Sequence, residues 1–242
     1  MDPGDDIHED KRGLSVASAI RKQEIRRNPL AEWVVAIVRF VQTHQFAVEA
    51  SAVVLAIGVS VAGGYWWHLQ KQEEEASRLL GNALAALRDE ESGSSGIPEK
   101  ATTLFRQVVT QFPKTRSAEE ALIALGNGQY GAGKMDEALA SFGQYLTTFP
   151  RGRFTMEAGL GKAYALEAKG DFQGASQTLS QTLDRDKEDP LAGEAYVSLA
   201  RLYEEMKKSD DAMRVYGQVV EKYPQTRWAQ YSLQKMSTLK MK

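Results

Sequence analysis

The sequence predicts an all-α protein in which one apolar membrane helix precedes an α-solenoid of stacked helical hairpins. Two observations carry this reading. A proline dipeptide returns at Phe112-Pro113, Phe149-Pro150, Asp189-Pro190 and Tyr223-Pro224, with the prolines 37, 40 and 34 residues apart. Each follows an amphipathic run rich in alanine and leucine, and a period of that length signals hairpins that pack only on their neighbours. Upstream, the 18 residues from Ala50 to Trp67 contain no Asp, Glu, Lys, Arg or His.

Residues 1–28 are rich in charge, and Met1 to Asp10 carry five acidic groups. Such a stretch buries too little apolar area to offset its ordering entropy, which predicts a disordered cytoplasmic tail. Asn28-Pro29 then starts a helix, with Asn as N-cap and Pro in the first turn. Leu30, Trp33, Val34, Ile37, Val38 and Val41 recur at helical spacing, while Glu32, Arg39 and Gln42 fall elsewhere on the wheel. Residues 29–46 are too short to cross a bilayer and read as an amphipathic helix lying in the interface, with Trp33 and Arg39 as anchors. A docking helix for another membrane protein is the alternative.

Residues 47–68 form the expected transmembrane helix. At about 1.5 Å per residue, roughly 20 residues cover the ~30 Å hydrocarbon layer. Gly58, Gly63 and Gly64 suit a membrane helix better than a soluble one, and Tyr65, Trp66 and Trp67 stand where an aromatic belt marks the far interface. Glu49, about one turn inside the near end, snorkels into the headgroups. A signal peptide would carry its apolar core nearer the N-terminus. All seven Lys and Arg before the span (Lys11, Arg12, Arg21, Lys22, Arg26, Arg27 and Arg39) lie in the short N-terminal segment, which favours the N-terminus inside. Residues 69–242 then form a repeat domain outside the cytoplasm.

In that domain, Ala76 to Leu87 continues as a helix with Leu80, Leu84 and Leu87 on one stripe, and the Ser/Gly-rich residues 91–96 break it. A second helix from Pro98 to Gln111 offers Ala101, Phe105 and Val108 and stops before Pro113. The next hairpin carries Leu122, Leu125 and Gly126, turns at Gly131 to Lys134, and returns with Ala138, Phe142 and Tyr145. The third has Ala163, Gly170-Asp171, Ala175 and Leu179, and runs on to Pro190. The fourth has Tyr196, Leu199, Ala200, Tyr203, Ala212, Tyr216 and Val219. A final unpaired helix, Trp228 to Met236, is expected to cap the open end. Small residues (Gly126, Ala163 and Ala200) let paired helices approach, large ones fill the groove to the next hairpin, and proline ends each unit.

This arrangement resembles the tetratricopeptide repeat over roughly residues 76–242, which implies a right-handed superhelix. Gln129 stands where that family has a tyrosine. Gly159 and Lys162 stand where large apolar residues are usual, which predicts a looser third hairpin. The segments Phe112 to Ala118 and Tyr223 to Ala229, near-identical in sequence, are similar to repeats of bacterial envelope proteins, such as cell-division coordinators and outer-membrane assembly lipoproteins. Val38-Arg39-Phe40, the glycine-bearing span, Tyr65-Trp66-Trp67 and the polar helix that follows resemble the ancillary subunit of the bacterial Sec translocon. That resemblance implies a single-pass inner-membrane protein with a periplasmic repeat domain, working beside translocon subunits, periplasmic chaperones and secreted chains.

Little in the sequence points to chemistry. The chain has no cysteine, so it offers no disulfide, thiolate ligand or cysteine nucleophile. Its net charge of −2 comes without a basic stripe, against nucleic-acid binding. His8, His44 and His68 share no helix face at metal-ligand spacing, and the glycine pairs lack the context of a phosphate loop. No enzyme activity, cofactor or metal is expected. The expected site is a peptide-binding concave face, and the resemblance places Glu120, Ile123, Asn127 and Tyr130 of the second hairpin there. Glu157, Leu160, Tyr164 and Glu167 follow in the third, and Glu194, Val197, Arg201 and Glu204 in the fourth. Aromatics among mixed charge suit peptide recognition. The expected function is a membrane-anchored scaffold for protein export or client hand-over. The alternatives are an envelope or cell-division coordinator, or a structural homo-oligomer packed through its membrane glycines.

Overall fold

The computed structural model describes residues 29–89 and 97–241. The expected tail, its Asn28 cap and the loop at 91–96 lie outside them. The chain divides into two units, one ending at Trp67 and the other starting at His68. In the first, helix α1 spans Pro29–Thr43 and α2 begins at Gln45, running to Asp89. The α1 side chains of Trp33, Val34, Ile37 and Val38 are all exposed, as are Val53 to Leu55 and Tyr65 to Trp67 on α2. Among the described residues, α2 is the one helix long and apolar enough to cross a membrane, and no residue of its apolar window is buried.

The second unit is built of hairpins. The C-terminal part of α2 shares a core with α3 (Glu99–Gln111), joining Ala76, Leu80, Ala83 and Ala86 to Ala101, Phe105 and Val108. Helices α4 (Arg116–Gly131) and α5 (Met135–Thr148) form the next hairpin, α6 (Thr155–Ala168) and α7 (Phe172–Arg185) the third, and α8 (Ala192–Glu205) and α9 (Ser209–Lys222) the fourth. Helix α10 (Arg227–Lys240) packs on α9 and also meets α8. It is longer than the Trp228 to Met236 helix that the sequence suggested.

The same backbone solution recurs in the turns of the second, third and fourth hairpins. Gly133 and Gly170 adopt φ of +73° and +80°, the left-handed conformation that costs glycine nothing. The next residue's N–H reaches back to the start of the last helical turn, Lys134 N to Gln129 O at 2.8 Å and Asp171 N to Leu166 O at 2.9 Å. The fourth hairpin makes this turn with a lysine, Lys207 at φ 58°, and the same bond runs from Lys208 N to Tyr203 O at 2.8 Å. Between hairpins, Thr115 and Thr226 cap α4 and α10 by accepting from Ala118 N and Ala229 N. Glu73 on α2 adds a second cap to α4, accepting from Arg116 N at 2.7 Å and from the N–H and hydroxyl of Ser117. Glu119 repeats that role one hairpin later, accepting from Arg153 N at 3.1 Å. The two glutamates therefore set the register, and the C-terminal part of α2 is the first helix of the first hairpin.

Close packing explains the small residues. A methyl on Gly126 would lie 2.5 Å from the Phe142 ring, and one on Gly161 2.4 Å from the same ring. Phe142 is thus wedged between α4 and α6, with no room for either glycine to grow. The third unit runs on to Pro190 through a turn: helix α7 ends at Arg185, and in the extra residues Asp189 Oδ1 accepts from Leu191 N at 2.7 Å. Two expectations need correction. Gly159 does not loosen the third hairpin: a methyl there would meet Thr182 Oγ1 at 2.4 Å, so α6 and α7 are in close approach where the consensus bulk is missing. Leu84 does not join the buried stripe of α2, which consists of Ala76, Leu80, Ala83 and Ala86; Leu84 is 38% exposed.

Candidate functional site

The first helices α4, α6, α8 and α10 contact one another in series, so one face of each contributes to a continuous surface. Most polar candidates meet a partner one hairpin away. Arg153 Nη2 lies 2.8 Å from Glu120 Oε1. Asn127 Nδ2 donates to Glu157 Oε1 at 3.0 Å. Tyr164 Oη donates to Glu194 Oε1 at 2.8 Å and lies 3.2 Å from Ser198 Oγ. Arg201 grips both oxygens of Glu167, with Nη2 to Oε2 at 2.8 Å. Glu204 receives the Tyr216 hydroxyl at 2.5 Å and Lys235 Nζ at 3.1 Å. The result is a polar ladder running across the first helices.

The ladder's electrostatics follow from its partners. Hydrogen bonding to Glu167 holds the Arg201 guanidinium above its ordinary pKa against the opposing effect of burial. Glu120 does the same for Arg153. Burial pushes the Tyr164 hydroxyl up to about 12; its bond with Ser198 opposes that shift and Glu194 reinforces it. Tyr164 is therefore a neutral donor at any physiological pH.

Three expected groove residues lie elsewhere. Ile123, Leu160 and Val197 are only 7%, 5% and 9% exposed and belong to the hydrophobic core. They recur 37 residues apart, one on each of α4, α6 and α8, and belong to the two hydrophobic clusters of the array. Tyr130 is 37% exposed, and Leu84 holds the corresponding position on α2. The anchors Trp33, Tyr65, Trp66 and Trp67 are exposed, as is Arg39. Sequence reasoning missed the ladder partners Arg153, Ser198 and Lys235. A signal was available, because Glu120 and Arg153, Glu167 and Arg201, and Glu204 and Lys235 are opposite charges about one repeat apart. Among the described residues, no cluster of three His, Asp or Glu side chains could hold a metal.

Residues 166–234, from the end of α6 into α10, match the family model of the tetratricopeptide repeat. The array has the tetratricopeptide-repeat fold. PilF of Pseudomonas aeruginosa is similar at 15% identity, over 70% of this chain and 69% of that one, with a TM-score of 0.52. Repeats of a putative kinesin light chain from Podospora anserina align at 19% identity, covering 71% of this chain and 85% of that one, with a TM-score of 0.47. The first repeat domain of Spaghetti (RPAP3), solved bound to an HSP90 peptide, aligns at 20% identity over 51% of this chain and 96% of that one, with a TM-score of 0.44. No curated protein matches the sequence. A tetratricopeptide-repeat fold is a scaffold for protein–protein contacts, and its specificity lies in the side chains of its surfaces.

Proposed function

We propose that this chain is a membrane-anchored, non-catalytic scaffold that binds polypeptide along the face formed by α4, α6 and α8. The observation that carries this reading is the continuous surface of first helices, with side chains from successive hairpins converging on it. Anchoring is supported by the exposed apolar stretch of α2 and by the exposed aromatics at its far end. The N-terminal excess of Lys and Arg supports an inward N-terminus and, with it, a repeat domain on the periplasmic side of a bacterial inner membrane. On the resemblance to the Sec ancillary subunit, its work is protein export or the transfer of secreted chains to periplasmic chaperones.

A structural role has one observation in its favour. Gly58, Gly63 and Gly64 have nothing within 4 Å of where a methyl would stand, so another membrane helix has room to approach. Photo-crosslinking from position 130 in living cells tests both readings, because Tyr130 is an exposed candidate whose replacement disturbs no ladder contact. Capture of translocon subunits, periplasmic chaperones or nascent secreted chains is the expected result. Capture of peptidoglycan-synthesis or outer-membrane assembly proteins would redirect the assignment to envelope coordination. Capture of other copies alone would make the protein a structural oligomer.

A further inference from the structure

The ladder is not evenly neutralised. Glu120, Glu167 and Glu204 each face a cation, Arg153, Arg201 and Lys235. Glu157 and Glu194 hold equivalent positions near the starts of α6 and α8, and each receives one neutral donor, Asn127 Nδ2 and Tyr164 Oη. Among the described residues, neither carboxylate has a cationic nitrogen within 4 Å. Lys162, also on α6, stands five residues after Glu157, roughly 140° around the helix, and so faces away from it. A carboxylate has about four acceptor sites, so most of the capacity of Glu157 and Glu194 stays open. Both side chains are half-buried, where a charge without a counterion is more costly than at a fully solvated site. On the first helices of the preceding hairpins, Tyr130 of α4 and Leu84 of α2 are exposed and add apolar surface.

From this charge pattern we infer that the groove selects polypeptide segments in which basic and apolar side chains are interspersed, with Lys or Arg seated on Glu157 and Glu194. The inference rests on the peptide-binding reading above and adds the chemistry of the peptide. Helices α6 and α8 are direct neighbours, and packed helices lie about 8–10 Å apart axis to axis, which sets the scale of the step from one carboxylate to the next. A segment in the polyproline II conformation rises about 3.1 Å per residue and presents the same face every three residues, so the matching segment carries its two cations at i and i+3, about 9 Å apart, with apolar side chains between them. Arginine holds such carboxylates through paired bonds and is preferred over lysine.

The test is fluorescence anisotropy with the full chain in lipid nanodiscs. Three labelled peptides of equal length and apolar content are compared: Arg at i and i+3, Glu at those positions, and Gln at those positions. The Arg peptide should bind at least tenfold tighter than the Glu peptide, and its affinity should fall as NaCl rises from 50 to 500 mM. The double variant Glu157→Gln, Glu194→Gln keeps the side-chain volumes and an acceptor for Asn127 and Tyr164. It should weaken the Arg peptide about fivefold to tenfold, leave the Gln peptide unchanged, and keep the helical circular dichroism of the parent. Equal binding of all three peptides, or an unaffected double variant, overturns the charge selection while leaving peptide binding intact. Binding of none of them overturns this inference and counts against the peptide-binding reading itself.

Discussion

At the scale of single residues, the repeat consensus is a poor guide to what this chain tolerates. Gly159 stands where the family places a large apolar residue, yet the space is already taken by Thr182, itself buried and bonded to Thr178 O at 2.8 Å. Restoring the consensus with Gly159→Leu should therefore destabilise the second unit by about 1–3 kcal/mol through overpacking, read as a lower urea midpoint by circular dichroism. The reverse holds at Lys207, where an L-residue occupies the left-handed position that glycine fills in two sister turns. Lys207→Gly should raise stability by up to about 1 kcal/mol, because it removes a backbone cost without removing a contact that closes the turn. A lower midpoint would show that the lysine side chain contributes more than its backbone costs.

At the scale of elements, the first helices are tied together by polar groups as well as by packing. Tyr164 links α6 to α8 through Glu194 and Ser198. Its folded pKa lies above the unfolded value near 10, so it holds its proton more tightly when folded. Its contribution is complete below about pH 10 and is lost as pH rises towards 12. Burial also raises the hydroxyls of Tyr145 and Tyr216, so the parent should lose stability on all three counts in that range. Tyr164→Phe should lose less between pH 9 and pH 11 than the parent does, measured as the change in urea midpoint. An equal loss would mean that the link between α6 and α8 does not report on this proton.

At the scale of the whole molecule, the topology proposal has a direct check. The chain lacks cysteine, so Ser15→Cys and Ser237→Cys each introduce a single thiol. In cells with a permeable outer membrane, a membrane-impermeant maleimide should label position 237 at once and position 15 only after lysis. The opposite pattern would put the repeats in the cytoplasm and remove the export reading.

The sequence by itself determined the class of the molecule. Periodic alanine, leucine and proline dictate hairpins because helical amphipathicity and proline's missing N–H act locally, and the apolar run before Tyr65 is defined by length and composition alone. The placement of candidate groove residues came from the resemblance to the tetratricopeptide repeat, and those residues lie on α4, α6 and α8. Only the tertiary structure decided what each position does. Ile123, Leu160 and Val197 read as groove residues in register but become core, because the folded array buries them in its two hydrophobic clusters. Gly159 reads as a gap but is a close approach, because Thr182 comes from another helix. The acidic residues of the groove look alike in sequence, yet three are neutralised by cations about one repeat away and two are not. Burial and charge pairing are set by atoms distant in the chain, and a one-dimensional pattern carries the spacing of those atoms without saying which of them meet.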